Sequence, residues 1–125
     1  MQVVGYIDRE KFRCIAEDII TEEVIITDIQ IKHIMERHPG DYERFQTYFS
    51  EMVAEPDYIL EANKPNSGVV LKEICQEDEV FKLILRLATS TDDPSYKNSI
   101  ITFMKIDEKE WARMLRNKKI LYKRE

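Results

Sequence analysis

Cysteine and glycine are scarce in this chain of 125 residues, which has two cysteines and three glycines. Cys14 and Cys75 lie far apart and neither belongs to a CxxC pair, so a disulfide framework or a zinc site is not expected. We expect two reduced, part-buried thiols. The chain also lacks a glycine-rich phosphate loop and a GxSxG elbow, which excludes P-loop NTPases, Rossmann enzymes and serine hydrolases.

Long apolar runs are absent as well. No run approaches the roughly 20 residues that cross a membrane, and the first residues lack the apolar core of a signal peptide. We therefore expect a cytoplasmic protein with no membrane partner. The hydrophobic fraction of 43% and the aromatic fraction of 10% are typical of a packed domain. A chain of this length can bury a sufficient core without a disulfide or a metal, which predicts a single domain over residues 1–125.

The charge is acidic in total but unevenly distributed. The formal net charge is −5, from 19 basic and 24 acidic residues. Residues 1–63 carry six basic and 14 acidic side chains, whereas residues 108–125 carry seven basic and three acidic ones. An acidic total argues against loose, non-specific nucleic-acid binding. It leaves room for a local basic cleft, because charges act over only about 8–10 Å at physiological salt.

Apolar side chains recur at helical spacing in the first half of the chain and alternate in the second. A helix over residues 29–38 is predicted, capped by Thr27 or Asp28 and ended by Pro39-Gly40. A second helix over residues 41–55 carries a buried apolar stripe. Four strands are predicted next, at residues 58–62, 69–74, 80–87 and 99–106. A last helix over 108–116 begins with Asp107 as its cap.

The order of helices, antiparallel meander and helix predicts an α+β fold, with N-terminal helices packed on one face of a four-stranded antiparallel sheet and a C-terminal helix. Weaker strand signals occur at residues 3–7, 24–26 and 120–122. Within 80–87, Lys82 and Arg86 alternate with large apolar residues, so the sheet face away from the helices should carry these cations.

The two histidines of the chain lie on one predicted helix. His33 and Arg37 are four residues apart and share a face, and His38 is turned about 100° further at the helix end. Histidine transfers protons near neutral pH, and arginine binds phosphate through paired donors. The cluster therefore fits phosphodiester chemistry. Alternatively, the histidines interact with the terminal carbonyls of the helix, and Arg37 pairs with Glu36 or Glu43.

A second group of polar residues surrounds the end of the third predicted strand. Cations followed by hydroxyls at a strand end can hold a phosphate. The alternative is a solvated sheet face followed by an ordinary turn. The candidate phosphate-binding residues are Lys82, Arg86, Thr89, Ser90, Ser99 and Thr102.

Three stretches together resemble a known nuclease fold. They are IKHIMERHP at residues 31–39, FKLILRLATS at 81–90 and NSIIT at 98–102. Over residues 24–116 the chain resembles the phage–barnase–EndoU–colicin–RelE nuclease domains, known as PBECR domains. The resemblance implies helices on a four-stranded antiparallel sheet and metal-independent RNA cleavage, often in phage, mobile-element or toxin proteins. The matching site residues are His33, Arg37, His38, Arg86 and either Ser99 or Thr102.

The leading hypothesis is an endoribonuclease without a cofactor, acting on RNA such as transfer RNA. His33 or His38 would act as general base and acid, while Arg37 and Arg86 bind phosphate at a junction of helix and sheet. The alternative is a non-catalytic acidic binding or immunity-like module for a basic partner, suggested by the excess of carboxylates in residues 1–63. Either function allows a protein partner or inhibitor.

Overall fold

The computed structural model describes all 125 residues and contains seven strands and five α-helices. The strands are β1 (Gln2–Tyr6), β2 (Glu23–Ile26), β3 (Tyr58–Glu61), β4 (Ser67–Ile74), β5 (Glu79–Arg86), β6 (Asn98–Ile106) and β7 (Ile120–Lys123). The helices are α1 (Arg9–Phe12), α2 (Asp28–Arg37), α3 (Asp41–Phe45), α4 (Phe49–Ala54) and α5 (Glu108–Asn117).

All seven strands form one mixed sheet in the order β1-β2-β6-β5-β4-β3-β7. The prediction of a four-stranded antiparallel sheet is therefore wrong. The four predicted strands form the antiparallel centre, but β1, β2 and β7 join it, and β2 runs parallel to β6. The added pairings join residues far apart in sequence, such as Val24 with Asn98 and Ile59 with Tyr122. Pairings of this kind leave no local pattern in the sequence.

Helices cover both faces of the sheet, which corrects the expectation that they share one face. On the first face, here called the α2 face, Ile34 and the rings of Phe45 and Phe49 pack on the sheet; Phe45 and Phe81 have ring centroids 4.7 Å apart. On the opposite face, the α5 face, Met114 is buried against Leu60, Val69 and Leu71. The unbroken apolar run at residues 69–71 is typical of a strand that is buried on both faces.

The predicted helix over residues 41–55 is divided into α3, a 3₁₀ turn over Gln46–Tyr48, and α4. Thr47, Tyr48 and Phe49 follow one another at this point, and β-branched and aromatic residues are weak helix formers. The apolar stripe itself is confirmed as core. Its members Tyr42, Phe45, Phe49, Met52 and Val53 are all buried.

The predicted ends of α2 and α5 agree with the structure to within one residue. The Thr27 hydroxyl accepts from the Gln30 backbone N–H, and the Gln30 side chain returns to Thr27, which completes a capping box. The Asp107 carboxylate accepts from the Glu110 backbone N–H at 2.7 Å. Each capping side chain therefore satisfies one of the free N–H groups at the start of its helix.

Three smaller features complete the fold. Gly5 lets β1 approach α4, because a Cβ at this position would lie 2.9 Å from the Cα of Ser50. Cys14 and Cys75 are free, as expected, but both are exposed rather than part-buried. None of the helices has the length and apolar character needed to cross a membrane.

Candidate functional site

A cleft with a cationic lining opens on the α5 face. It has a volume of about 580 Å³, and its walls contain Lys64 and Arg86 but no carboxylate. Ile84 and Ala62 belong both to this wall and to the apolar cluster around α5, so the cleft borders the region that α5 covers. We call it the Arg86 cleft. Its lining residues are Ala62, Asn63, Lys64, Pro65, Asn66, Ser67, Ile84, Arg86, Tyr96 and Ile101.

Strand alternation and one hairpin build this cleft. In β5, Ile84 and Arg86 point to the α5 face, while Leu83 and Leu85 enter the core on the other side. The hairpin between β3 and β4 supplies the facing wall. Its Asn66 has a left-handed φ of 57°, which Asn tolerates better than most residues. The Asn66 carbonyl accepts from the Leu87 N–H at 2.8 Å and so ties the hairpin to the residue after Arg86.

Arg86 is held firmly but not saturated. Its Nη1 and Nη2 donate to the two oxygens of Asp92 at 3.2 and 3.0 Å, and Nη1 also donates to the Leu87 carbonyl. An arginine has five N–H donors, so three bonds leave two donors that no protein atom accepts. These are Nε–H and one Nη2–H, which lie on the same edge of the guanidinium. That edge has the geometry of a two-pronged phosphate contact.

Asp92 is fixed in turn by the residue that begins its loop. The Thr89 backbone N–H donates to Asp92 Oδ2 at 2.8 Å, and the Thr89 hydroxyl lies 3.3 Å from the same oxygen. The hydrogen bond from Arg86 and then the bond from Thr89 lower the pKa of the Asp92 carboxyl. Asp92 therefore stays ionised and orients Arg86, although the sequence indicated only a turn at residues 92–94.

The histidine cluster lies elsewhere on the molecule. His33 and Arg37 are exposed on α2, and His38 is half-buried at the helix end, where its N–H donates to the Ile34 carbonyl at 2.8 Å. The helix covers the α2 face, whereas Arg86 projects from the α5 face.

The two groups are also separated along the sheet. Arg86 pairs with Ser99, near the start of β6. The α2 end lies by Lys105, because the Asp41 N–H donates to the His38 carbonyl at 3.1 Å and Asp41 accepts from the Lys105 N–H at 3.1 Å. Six residues of strand span about 20 Å. The structure thus does not bring Arg86 together with His33, Arg37 or His38.

Of the other predicted phosphate-binding residues, some lie beside the Arg86 cleft and some lie away from it. Ser99 is buried and pairs with Arg86, and Thr102 pairs with Ile84, so both lie beside the cleft on β6, the strand next to β5. Thr89 is buried and bonds to Asp92.

Ser90 and Lys82 lie outside the cleft. The Ser90 hydroxyl donates to the Asp18 carboxylate, a bond that lowers the pKa of Asp18. Lys82 shares the α5 face but lies toward α5. There its charge adds to the stronger effect of Arg113 in lowering the pKa of Glu110.

A second cleft, of about 400 Å³, surrounds Lys72 and differs in charge. Lys72 is only 3% exposed, donates to the Glu55 carbonyl at 2.7 Å and lies 3.6 Å from carboxylate oxygens of both Glu51 and Asp57. The walls of this second cleft contain four carboxylates and two cations. We call it the Lys72 cleft. The charged lining residues are Glu51, Asp57, Glu73, Glu125, Lys72 and Arg124.

Several site residues were not found from sequence. Lys64, Asn66 and Ser67 have the composition of a turn, and no local pattern marks Tyr96 as a site residue. The sequence does contain one signal for the Arg86–Asp92 pair. Arg86 is a cation in a predicted strand, and the acid Asp92 follows it after only six residues, three beyond Thr89. No group of three or more His, Cys, Asp or Glu side chains is placed to hold a metal ion.

The basic C-terminal segment runs between the two clefts. The Glu61 N–H donates to the Lys119 carbonyl at 3.0 Å, and Leu60 pairs with Ile120. Ala62, which follows Glu61, already lines the cleft. Lys119 therefore lies beside the strand that leads into the wall of the Arg86 cleft, whereas Lys123 pairs with Tyr58 and Arg124 lines the Lys72 cleft.

Comparison with known proteins gives one match. Residues 2–123 match the family PBECR2, described as phage-Barnase-EndoU-ColicinE5/D-RelE like nuclease 2. A search of curated proteins and a search of solved structures each found no significant match. The family match spans nearly the whole chain and agrees with the resemblance of the helix and strand stretches. The chain therefore belongs to the PBECR2 family of nucleases.

Proposed function

We propose that this protein is a metal-independent endoribonuclease that binds the scissile phosphate of RNA at Arg86. The observation that carries the proposal is the open edge of the Arg86 guanidinium, with two unpaired donors, in a cleft lined by two cations and no carboxylate. An anionic chain favours this cleft over the remainder of an acidic protein. Membership of a nuclease family supplies the reaction class.

The chemistry proposed is transesterification. The 2′-hydroxyl oxygen attacks phosphorus, the bond from phosphorus to the 5′ oxygen breaks, and the products are a 2′,3′-cyclic phosphate and a 5′-hydroxyl. Arg86 would stabilise the charge that develops on the non-bridging oxygens. Water takes the proton of the 2′-hydroxyl and returns one to the 5′ oxygen at this phosphate, because His33 and His38 lie on the other face of the sheet, about 20 Å along it from Arg86. That His33 or His38 transfers protons, with Arg37 as a phosphate contact, is a separate proposal for RNA bound at α2, and it rests on their spacing along α2 alone.

The polar residues beside Arg86 have separate proposed roles. Ser99 and Thr102 lie on the neighbouring strand and would contact the sugar or phosphate next to the scissile bond. Lys82, further along β5, would attract the RNA backbone over a longer range. Thr89 would act through Asp92 rather than by touching RNA, because its donors already bind that carboxylate.

The test is RNA cleavage by the purified protein in EDTA, using total RNA and transfer RNA. Wild-type protein should cleave and leave cyclic phosphate ends, and Arg86→Ala should lower the rate about 10²–10³-fold, as expected for the loss of a donor to a developing oxyanion. Arg124→Ala is the matched control, since Arg124 also pairs with an aspartate but lines the Lys72 cleft. The absence of cleavage, or equal cleavage by Arg86→Ala, would contradict the proposal.

The histidines are tested in the same assay. His33→Ala and His38→Ala should each be compared with wild type across pH 5–9, because loss of a general acid or base removes one limb of a bell-shaped profile. If both variants keep the wild-type rate and profile, the proton-transfer role of α2 is wrong while phosphate binding at Arg86 stands. If no RNA is cleaved under any condition, the alternative of an acidic module for a basic protein partner gains support.

The phage, mobile-element or toxin setting is tested in living cells. Induced expression should arrest growth, and Arg86→Ala should relieve the arrest while Arg124→Ala does not. Toxicity that survives Arg86→Ala would contradict a toxin role based on this cleft.

A further inference from the structure

We propose that the Arg86 cleft is a nucleotide subsite that binds one unpaired nucleobase beside the phosphate at Arg86, so that the substrate class is single-stranded RNA. This inference rests on the proposed function and names its substrate. It is carried by the part of the cleft that a phosphate does not use: the aromatic and aliphatic wall formed by Tyr96, Ile101 and Ile84.

The cleft is larger and more apolar than a phosphate requires. A phosphate is bound by charge and hydrogen bonds, which Arg86 and Lys64 already supply. Small-molecule sites typically combine about 300–1,000 Å³ of space with apolar walls and a few polar groups, and the volume of about 580 Å³ lies within this range. Tyr96 and Ile101 remain 39% and 40% exposed at its mouth. A flat apolar group that covers them would gain from their burial.

Tyr96 is placed for stacking. Its ring centroid lies 5.3 Å from the Arg86 guanidinium carbon, so one side of the ring is already paired with a cation. Hydrogen bonds fix the loop before Tyr96. The Tyr96 N–H donates to the Asp93 carbonyl at 2.8 Å, and the Ser95 N–H and hydroxyl both donate to the Asp93 carboxylate. A base that stacks on the opposite side of the ring would lie near a phosphate bound to Arg86, with the Tyr96 ring between the base and the guanidinium.

The hairpin wall offers groups that can read a base edge. The side-chain amides of Asn63 and Asn66 line the cleft and make no hydrogen bond within the protein. Each amide carries both donors and an acceptor, as the Watson–Crick edge of a base does. In a duplex that edge is paired and both base faces are stacked, so only an unpaired base can occupy the site.

The test is binding without cleavage. A fluorescent 2′-O-methyl oligonucleotide of eight residues cannot undergo attack by a 2′-hydroxyl, and its anisotropy reports binding in EDTA. The single strand should bind at least tenfold more tightly than the same strand in a duplex. Tyr96→Ala should weaken single-strand binding roughly 10- to 100-fold, as for the loss of one base–aromatic stack. Tyr96→Phe, which keeps the ring, should bind within twofold of wild type.

Tyr6→Ala is the matched control, because Tyr6 is an exposed tyrosine on β1 that does not line the cleft. Equal binding of duplex and single strand, or wild-type binding by Tyr96→Ala, would overturn the inference. The two proposals fail separately. Cleavage that depends on Arg86 but not on Tyr96 removes only the base subsite, whereas binding that depends on Tyr96 without any cleavage removes only the nuclease activity.

Discussion

The Lys72 cleft and the Arg86 cleft each contain the cation after which they are named, but the two cations differ in burial and in the number of their partners. Lys72 is 3% exposed and surrounded by two carboxylates and a carbonyl. Arg86 is 25% exposed, has one carboxylate partner and keeps two donors free on one edge. The walls of the first cleft carry four carboxylates, and those of the second carry none.

The difference separates a structural cation from a cation that can bind a ligand. A buried ammonium that lacked partners would be costly, so the acids around Lys72 offset the loss of water. Arg86 lies where water and ligand can reach it, and Asp92 holds its position without using all of its donors. An incoming phosphate would meet repulsion from carboxylates at Lys72 and attraction at Arg86.

The largest effect is expected when Lys72 is removed. Lys72→Ala leaves Glu51 without its cation and Asp57 with Arg124 alone, and it empties the volume of a buried side chain. It should lower the free energy of unfolding by about 2–4 kcal/mol, as measured by urea denaturation. RNA cleavage per folded molecule should not change. The control Lys105→Ala breaks an exposed pair with Glu79 and should cost less than about 1 kcal/mol. A stable Lys72→Ala variant with reduced cleavage would erase the distinction between the two clefts.

Arg86→Lys should produce a smaller effect, and on activity instead of stability. Lysine keeps the charge but cannot offer two donors on one planar edge. The rate of RNA cleavage should fall roughly 10- to 100-fold, between wild type and Arg86→Ala. Full activity in Arg86→Lys would mean that charge alone suffices and that the free guanidinium edge has no role.

Asp92→Asn should remove a contribution to stability that depends on pH. The pKa of Asp92 is lowered from its ordinary 3.8, so its contribution to folding is present above pH 3.8 and is lost as pH falls through the lower folded-state pKa. The stability difference between wild type and Asp92→Asn should thus be constant from pH 5 to 7 and shrink below pH 3.8. Urea denaturation across this range checks it, and a difference that grows toward acid would contradict it.

Thr27→Ala tests the helix that lies outside both clefts. It removes the α2 capping box and should cost about 1 kcal/mol of stability. Thermal unfolding measures this loss, and cleavage by the folded protein should remain within twofold of wild type. A large loss of cleavage at a temperature where the variant is folded would show that α2 positions a catalytic group.

Local features of the fold were predictable, whereas the long-range ones were not. Thr27 and Asp107 predict the starts of α2 and α5, because each can cap the residues that follow it. The alternation of polar and apolar residues in β5 predicts that Arg86 lies on the face opposite the core residues. The parallel pairing of β2 with β6 depends on Val24 meeting Asn98, which no local pattern encodes. The sheet in the structure therefore has seven strands, whereas the sequence predicted a sheet of four.

The candidate site shows the same division. Helical spacing predicts that His33 and Arg37 share one face of α2, but it does not predict which face of the sheet α2 covers. The histidines and Arg86 thus lie apart. Asp92 and Asn66 had the composition of turns, and their contacts with Arg86 and Leu87 arise only when the hairpin and the loop after β5 meet.

The most direct test of the Arg86 cleft is an NMR titration of ¹⁵N-labelled protein with the 2′-O-methyl single strand, following the arginine Nε–H signals. The Arg86 signal should shift as Nε–H donates to a phosphate, while the Arg124 signal in the Lys72 cleft should stay in place. If Arg86 does not move and the backbone signals of residues 33–38 shift instead, RNA binds at α2, and the assignment of the phosphate site to the Arg86 cleft is wrong.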